Sequence, residues 1–266
     1  MSRVEIYSNK TLSIRISTNG FCFCIYEASV ADSIEYYEYP VDKSRTLASN
    51  LEFAKEKFRF LTAGGFAGIS VIYDSTEYST IPSEQEGENE KYFFSCFPHL
   101  SGECKIVSNR LTAQGITVLF AIEKALYDSL NGLGTVTYYS PMSIIMGYIA
   151  RQPFPEEHFM FTFIDKGRSL LLSIKGGKLL LANSFDSFEK ENHAYYILSI
   201  WKESGLSQSS DKLYICGDRS AEETIPIITR FIRHIERINP NSLFRSNLLN
   251  KIENIPFDLQ ALLLCE

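Results

Sequence analysis

Apolar and polar residues alternate along much of the chain, and the alternation first appears in residues 12–16 and 21–26. Such alternation is typical of β-strands with one buried face. The segment between them ends in Asn19-Gly20, a pair that favours the positive φ angles of a tight two-residue turn. The pattern therefore predicts a β-hairpin near the start of the chain.

The remainder of the first half mixes strands with helices. Apolar residues recur every three or four positions over residues 44–60, which predicts a helix with Ser44 as its N-cap. The acidic segment 83–90 is predicted to be an exposed loop. Further strands are predicted at residues 33–39, 66–73, 77–81, 104–108, 115–121 and 135–140, and further helices at residues 122–130 and 141–151.

The second half shows the same order of patterns after a turn-forming segment with two prolines at residues 152–155. Its predicted elements are strands at residues 158–165, 168–174 and 178–185, a helix at 187–204, a strand at 212–216 and a segment at 221–234 that is helical at its start. Pro226 leaves the course of that last segment open. Because both halves begin β-β-β-α-β, we predict an internal duplication with domains 1–152 and 153–266.

Composition and charge exclude several classes of protein. Of the 266 residues, 45% are apolar, which is enough for a folded core. The formal net charge of −6 argues against broad nucleic-acid binding. No apolar run approaches the roughly 20 residues that span a membrane, and the first ten residues lack a secretion signal. We therefore expect a soluble, cytoplasmic protein without membrane insertion.

The six cysteines are too dispersed for a disulfide framework. Cys22 and Cys24 alternate within one predicted strand and are interpreted as buried packing residues. Cys96, His99 and Cys104 supply three metal-binding groups, one fewer than a structural zinc site normally needs. We therefore predict no metal site.

Sequence motifs of the common hydrolases are absent. The chain has no Gly-x4-Gly-Lys-Ser/Thr phosphate loop, no Gly-x-Ser-x-Gly and no His-Glu-x-x-His. The sequence indicates no nucleophile partner for any of the four histidines, which are His99, His158, His193 and His234. We therefore expect none of these hydrolytic sites.

Four segments carry a resemblance to a known fold: residues 12–26, Tyr78-Ser-Thr-Ile-Pro82 before Tyr92-Phe-Phe, residues 165–183 and residues 213–218. Their order resembles the actin-like ATPase fold shared by actin, sugar kinases and 70-kilodalton heat-shock proteins. More closely, the whole chain resembles an uncharacterised bacterial family of about this length with that fold. The resemblance implies an α/β fold of duplicated ribonuclease H-like lobes, each with a mixed sheet opened by an antiparallel hairpin.

In active members of that superfamily, three loops bind nucleotide in a cleft between the lobes. The resemblance assigns the first loop to the turn Ser17-Thr18-Asn19-Gly20. Its polar side chains can form hydrogen bonds, but none supplies the negative charge that Mg²⁺ prefers. A purely structural turn is the favoured interpretation.

The second loop corresponds to the turn from Asp165 through Gly167 to Ser169, which matches the superfamily's Asp-x-Gly pattern. Flanking Lys166 and Arg168 carry charges that suit phosphate oxygens. Asp-x-Gly is also an ordinary reverse-turn sequence. An anion site and a plain turn therefore both stay open, and the resemblance places this turn opposite the first one across the cleft.

The third loop should carry consecutive glycines beside the adenosine, but here Gly217 is followed by Asp218. A β-carbon and a charge at that position should crowd the nucleotide. With two of three loops altered, we expect a non-catalytic interaction or scaffold protein that needs no cofactor. The alternative is an ATP-binding protein with weak or regulated ATPase activity. It would bind Mg-ATP with Ser17, Thr18 and the strand that ends at Gly217, and Asp165 would be its catalytic acid.

An unidentified protein partner is expected under the favoured hypothesis. Arg230, Arg233, His234 and Arg237 share one face if their segment is helical, and the acidic loop carries the opposite charge. These patches are candidates for protein docking. A solvated surface is the alternative explanation.

Overall fold

The computed structural model describes residues 7–27, 29–30, 33–75, 77–238 and 255–265. The chain divides into two compact units. Of the described residues, the first unit contains those up to residue 144, and the second contains residues 145–238 and 255–265. No helix within the described ranges is long and apolar enough to span a bilayer.

The first unit combines eight strands with four helices in its described part. Its strands are β1 (Thr11–Ser17), β2 (Gly20–Tyr26), β3 (Glu35–Pro40), β4 (Gly68–Tyr73), β5 (Tyr78–Pro82), β6 (Cys104–Leu111), β7 (Ile116–Glu123) and β8 (Val136–Tyr139). Its helices are α1 (Leu47–Lys57), α2 (Phe60–Ala63), α3 (Asn89–Cys96) and α4 (Lys124–Asn131). Helix α5 (Pro141–Arg151) contains the boundary between the units.

Two sheets organise this unit. The larger sheet has the order β3-β2-β1-β4-β8, with β1, β2 and β3 antiparallel and β1, β4 and β8 parallel. The smaller, antiparallel sheet has the order β5-β7-β6. Helix α1 covers the larger sheet with Leu51 and Ala54, which are fully buried. Helix α3 covers the smaller sheet with Phe93.

Helix α1 begins two residues later than predicted. Its N-cap is Thr46, whose side-chain oxygen accepts a hydrogen bond from the backbone amide of Ser49 at 3.1 Å. Ser44 instead donates its backbone amide to Asp42 Oδ1 at 3.0 Å. The preceding Asx turn therefore uses Ser44, which leaves Thr46 to cap the helix.

The second unit repeats the arrangement of the larger sheet. Its strands are β9 (His158–Asp165), β10 (Arg168–Lys175), β11 (Lys178–Asp186), β12 (Lys212–Gly217) and β13 (His234–Arg237), and its helices are α6 (Lys190–Glu203), α7 (Arg219–Ile228) and α8 (Phe257–Cys265). The order is β11-β10-β9-β12-β13, with β9 to β11 antiparallel and β9, β12 and β13 parallel. The same order and directions in both sheets confirm the predicted duplicated α/β architecture.

Both faces of the three central strands of the second sheet are buried. Helices α6 and α7 cover one face, where Ile197 and Ile228 pack with Leu213. On the other face, Phe257 of α8 lies against Tyr148 and Phe161, with ring centroids 5.1 and 5.8 Å apart. Because both faces are covered, β9, β10 and β12 are almost continuously apolar.

The segment after α7 differs from the helical expectation. Helix α7 ends at Ile228, two residues after the internal Pro226, and β13 follows at His234–Arg237. Residues three apart on a strand point to opposite faces, so His234 and Arg237 diverge. The predicted basic helical face is therefore wrong. Helix α3 likewise begins inside the segment that was predicted to be an acidic loop.

Candidate functional site

The first candidate loop is a turn closed by its own side chain. Ser17 Oγ donates to the carbonyl of Gly20 at 3.0 Å and accepts the backbone amide of Asn19 at 3.3 Å. Thr18 and Asn19 form the turn, while Gly20 is the first residue of β2. The expected positive φ angles at Asn19 and Gly20 are wrong, because neither residue has one. The hydroxyl of Ser17, rather than glycine geometry, stabilises this turn.

The second candidate loop joins β9 to β10. Lys166 and Gly167 form its turn with φ angles of +46° and +86°. Within the described part of the chain, Lys166 is the one non-glycine residue with positive φ. Its backbone amide donates to Asp218 Oδ2 at 2.8 Å. A side chain from the third candidate loop thus binds the amide of the second.

An aromatic ring lies on the glycine of this turn. A β-carbon added to Gly167 would be 2.3 Å from Cε1 of Phe188, and Gly167 also accepts a backbone hydrogen bond from Ser187 at 2.8 Å. Phe188 is nevertheless 71% exposed. The segment before α6 therefore lies against the turn, and a β-carbon at residue 167 would require the Phe188 ring to move.

The third candidate loop starts at Gly217, where the neighbouring strand excludes any side chain. A β-carbon there would be 1.7 Å from the carbonyl oxygen of Ile164, and φ is +134°. The next residue, Asp218, is the N-cap of α7, since its Oδ1 accepts the amide of Ser220 at 2.8 Å. The glycine is thus required by the contact between β12 and β9, and the acid by the helix.

Asp165 is buried at the carboxyl end of β9, with 6% of its surface exposed. Asp165 and Asp258, which is also buried, each interact electrostatically with Cys216. Burial, reinforced by these two acids, raises the pKa of the Cys216 thiol well above its usual value. Two buried acids therefore act on the thiol of Cys216, which lies near the carboxyl end of β12.

Ser169 is paired with a histidine that the sequence did not connect to it. Its Oγ lies 2.5 Å from Nδ1 of His193, and both residues are fully buried. Among the described residues, His193 Nε2 has no hydrogen-bond partner. Burial lowers the pKa of His193, while the carboxylate of Asp218 opposes that shift. The sequence shows no sign of this pair, because 24 positions separate its members.

The second unit thus brings together four predicted site residues, which are Asp165, Gly167, Ser169 and Gly217. Asp218 joins their loops, and sequence reasoning treated it as an obstacle rather than as a ligand of the turn. Its position directly before a helix and after a strand is the N-cap signal that could have identified it. The backbone amide of Lys166 is occupied by this carboxylate.

Comparisons with known proteins agree with this fold. The family described as "Protein of unknown function (DUF3822)" matches residues 2–235. No curated protein matches the chain significantly in sequence. A crystal structure from Bacteroides thetaiotaomicron VPI-5482, of a protein with actin-like ATPase fold and unknown function, is 28% identical over 100% of both chains, with a TM-score of 0.84.

Two more distant structures share the fold alone. A chain of the PilM-PilN type IV pilus biogenesis complex has a TM-score of 0.60 and 13% identity, over 96% of this chain and 98% of that one. The filament of AlfA from B. subtilis plasmid pLS32 has a TM-score of 0.50 and 10% identity, over 97% and 99% of the two chains. These likenesses confirm the predicted actin-like ATPase fold.

Proposed function

The chain belongs to the DUF3822 family, and we propose that it is a non-catalytic interaction or scaffold protein with a degenerate nucleotide site. The observation that carries this proposal is the carboxylate of Asp218, which accepts the amides of both Lys166 and Ser220. Backbone amides at such a turn and helix start are the groups that commonly bind phosphate. Here the carboxylate of Asp218 occupies the position in which a phosphate would accept these hydrogen bonds.

The negative charge of Asp218 opposes the binding of a phosphate at this turn. A phosphate that approached Lys166 would meet the negative charge of Asp218, and like charges about 4 Å apart repel by roughly 4 kcal/mol near a protein surface. Moving Asp218 away would also remove the cap of α7, which costs about 1 kcal/mol. The ring of Phe188 on Gly167 adds a steric obstacle at the same turn.

The second candidate function is an ATP-binding protein with weak or regulated hydrolysis. Asp165 supports it, because a buried acid stands at the start of the second hairpin where the superfamily places one. In that case Mg-ATP would be the ligand, and the first turn at residues 17–20 would contribute hydrogen bonds. This function requires Asp218 and Phe188 to move.

The first experiment is thermal unfolding with and without millimolar Mg-ATP. We expect a shift below about 1 °C. A ligand present at a hundred times its Kd stabilises a protein by about 2.7 kcal/mol, which raises Tm by roughly 5–10 °C for a domain of this size. A shift of that size would contradict the proposal.

A phosphate-release assay separates the two functions further. We expect no release above background for the wild-type protein. If release occurs, Asp165→Asn should abolish it under the ATPase hypothesis, since catalytic acids and metal-orienting groups change rates by two orders of magnitude or more. Asp128→Asn, which alters an exposed acid on α4, is the matched control. Release that depends on Asp165 alone would establish the second function.

The partner that we propose is a protein. PilM occurs in a complex with PilN, which is a precedent for protein binding on this fold. The net charge of −6 does not favour a nucleic acid. Arg230 and Arg233 are exposed after α7 and remain candidates for contact with an acidic surface.

A further inference from the structure

A cavity of about 790 Å³ lies at the carboxyl end of helix α1, within the first unit. This volume is in the range of pockets that hold small molecules. Two aromatic residues and four charged residues line it, which are Tyr7, Phe60, Glu52, Lys55, Glu56 and Arg59. The candidate nucleotide loops do not line it, so it is a separate place for a ligand.

The two aromatic rings of the cavity are fixed by packing against other rings. The ring centroid of Tyr7 lies 4.7 Å from that of Phe66. The ring centroid of Phe60 lies 5.1 Å from that of Tyr37 and 5.5 Å from that of Phe58. Rings held in this way can contact a ligand with little further loss of side-chain entropy. The cavity therefore offers a preformed aromatic surface.

Two of the four charged side chains neutralise each other. Lys55 Nζ donates to Glu52 Oε1 at 2.8 Å, and to the carbonyl oxygen and Oγ of Ser129 at 3.1 and 2.8 Å. Among the described residues, the side chains of Glu56 and Arg59 have neither an ion-pair partner nor a hydrogen-bond partner. The cavity therefore contains one negative and one positive group that are available to a ligand.

We propose that this cavity binds a free α-amino acid with an aromatic side chain. The guanidinium of Arg59 donates to the carboxylate of the ligand, and the ammonium of the ligand donates to Glu56. The aromatic side chain of the ligand packs against Tyr7 and Phe60. The partial negative charge at the carboxyl end of α1 adds to the attraction of the ammonium.

The charges of the cavity disfavour other classes of ligand. A polyphosphate would meet the carboxylates of Glu52 and Glu56 beside a single unpaired cation. A purely apolar ligand would remove Glu56 and Arg59 from water without a compensating partner. The end of a peptide carries one main-chain charge beside its side chain, whereas a free amino acid carries both. The site does not depend on the proposed lack of catalysis.

Four small probes test the class of ligand by thermal unfolding at about pH 6.5, where α-amino groups are mostly charged. We expect L-phenylalanine at about 10 mM to raise Tm by about 3 °C or more. Phenylalaninamide lacks the carboxylate, hydrocinnamate lacks the ammonium and glycine lacks the ring. Each of these should shift Tm by less than about 1 °C at the same concentration. No shift with L-phenylalanine, or an equal shift with any other probe, would overturn the proposal.

Two variants assign each charge of the ligand to its partner. Arg59→Gln and Glu56→Gln should each weaken the binding of L-phenylalanine by about fivefold or more in isothermal titration calorimetry. In Arg59→Gln, phenylalaninamide should bind as well as L-phenylalanine, and in Glu56→Gln, hydrocinnamate should do so. Lys57→Gln is the matched control, because it changes an exposed cation of α1 that does not line the cavity. Discrimination among the probes that is the same in all three variants would contradict the assigned contacts.

Discussion

At Gly217 a single β-carbon would disrupt the contact between two strands, since it would lie 1.7 Å from the Ile164 carbonyl oxygen. We predict that Gly217→Ala lowers the free energy of unfolding by on the order of 3 kcal/mol or more. Gly177→Ala is the control, because Gly177 also has positive φ but has nothing within 4 Å. Its cost should be about 1 kcal/mol, from backbone strain alone. Urea unfolding measures both, and equal losses would show that the close approach is unimportant.

His193 links stability to pH. Burial lowers its pKa, so on acidification the unfolded chain binds a proton before the folded chain does. Stability should therefore fall as the pH drops below the usual histidine pKa of about 6.5, by at most about 1.4 kcal/mol per pH unit. His193→Asn keeps a polar group near Ser169 and should remove this dependence. His234→Asn, which changes an exposed histidine, should retain it, and urea unfolding at about pH 7.5 and 5.5 compares them.

At the scale of elements, Asp218 connects helix α7 to the β9–β10 turn. Asp218→Ala should cost about 2 kcal/mol, because the cap and the bond to Lys166 are both lost. Asp218→Asn keeps one acceptor for the cap and should cost about 1 kcal/mol. Amide hydrogen exchange separates the two bonds, since Lys166 should exchange faster in both variants and Ser220 only in Asp218→Ala. Unchanged exchange at Lys166 would contradict the assigned contact.

At the scale of the whole molecule, the last described helix completes a core that begins more than a hundred residues earlier. Phe257 of α8 contacts Tyr148, Phe161 and Phe163 with ring centroids 5.1 to 6.0 Å apart. Phe257→Ala should therefore destabilise the second unit by about 3–5 kcal/mol. Leu264→Ala, on a half-buried position of the same helix, should cost about 1 kcal/mol. Calorimetry of both variants measures the difference, and similar losses would mean that α8 contributes little packing.

Local patterns determined much of the architecture from the sequence alone. Strand β9 and helix α5 have the bounds that the sequence predicts, His158–Asp165 and Pro141–Arg151, since their periodicity and flanking turns involve neighbouring residues. The turn at Gly176-Gly177 has the positive φ angles that its glycines favour. The repeated order of such elements predicts the duplicated α/β architecture, and the resemblance that it carries implies the actin-like fold.

Only the tertiary structure decided which residues the candidate loops contact. Ser169 and His193 are 24 residues apart, and Lys166 and Asp218 are 52 apart, so no local pattern reports their contacts. Gly20 likewise enters β2 because β1 and β3 pair with it on both sides, which overrides the local preference of Asn19-Gly20. Periodicity indicates which face of a helix or strand is buried. A site depends instead on which helices and strands lie next to each other, and the packing of the whole sheet determines that.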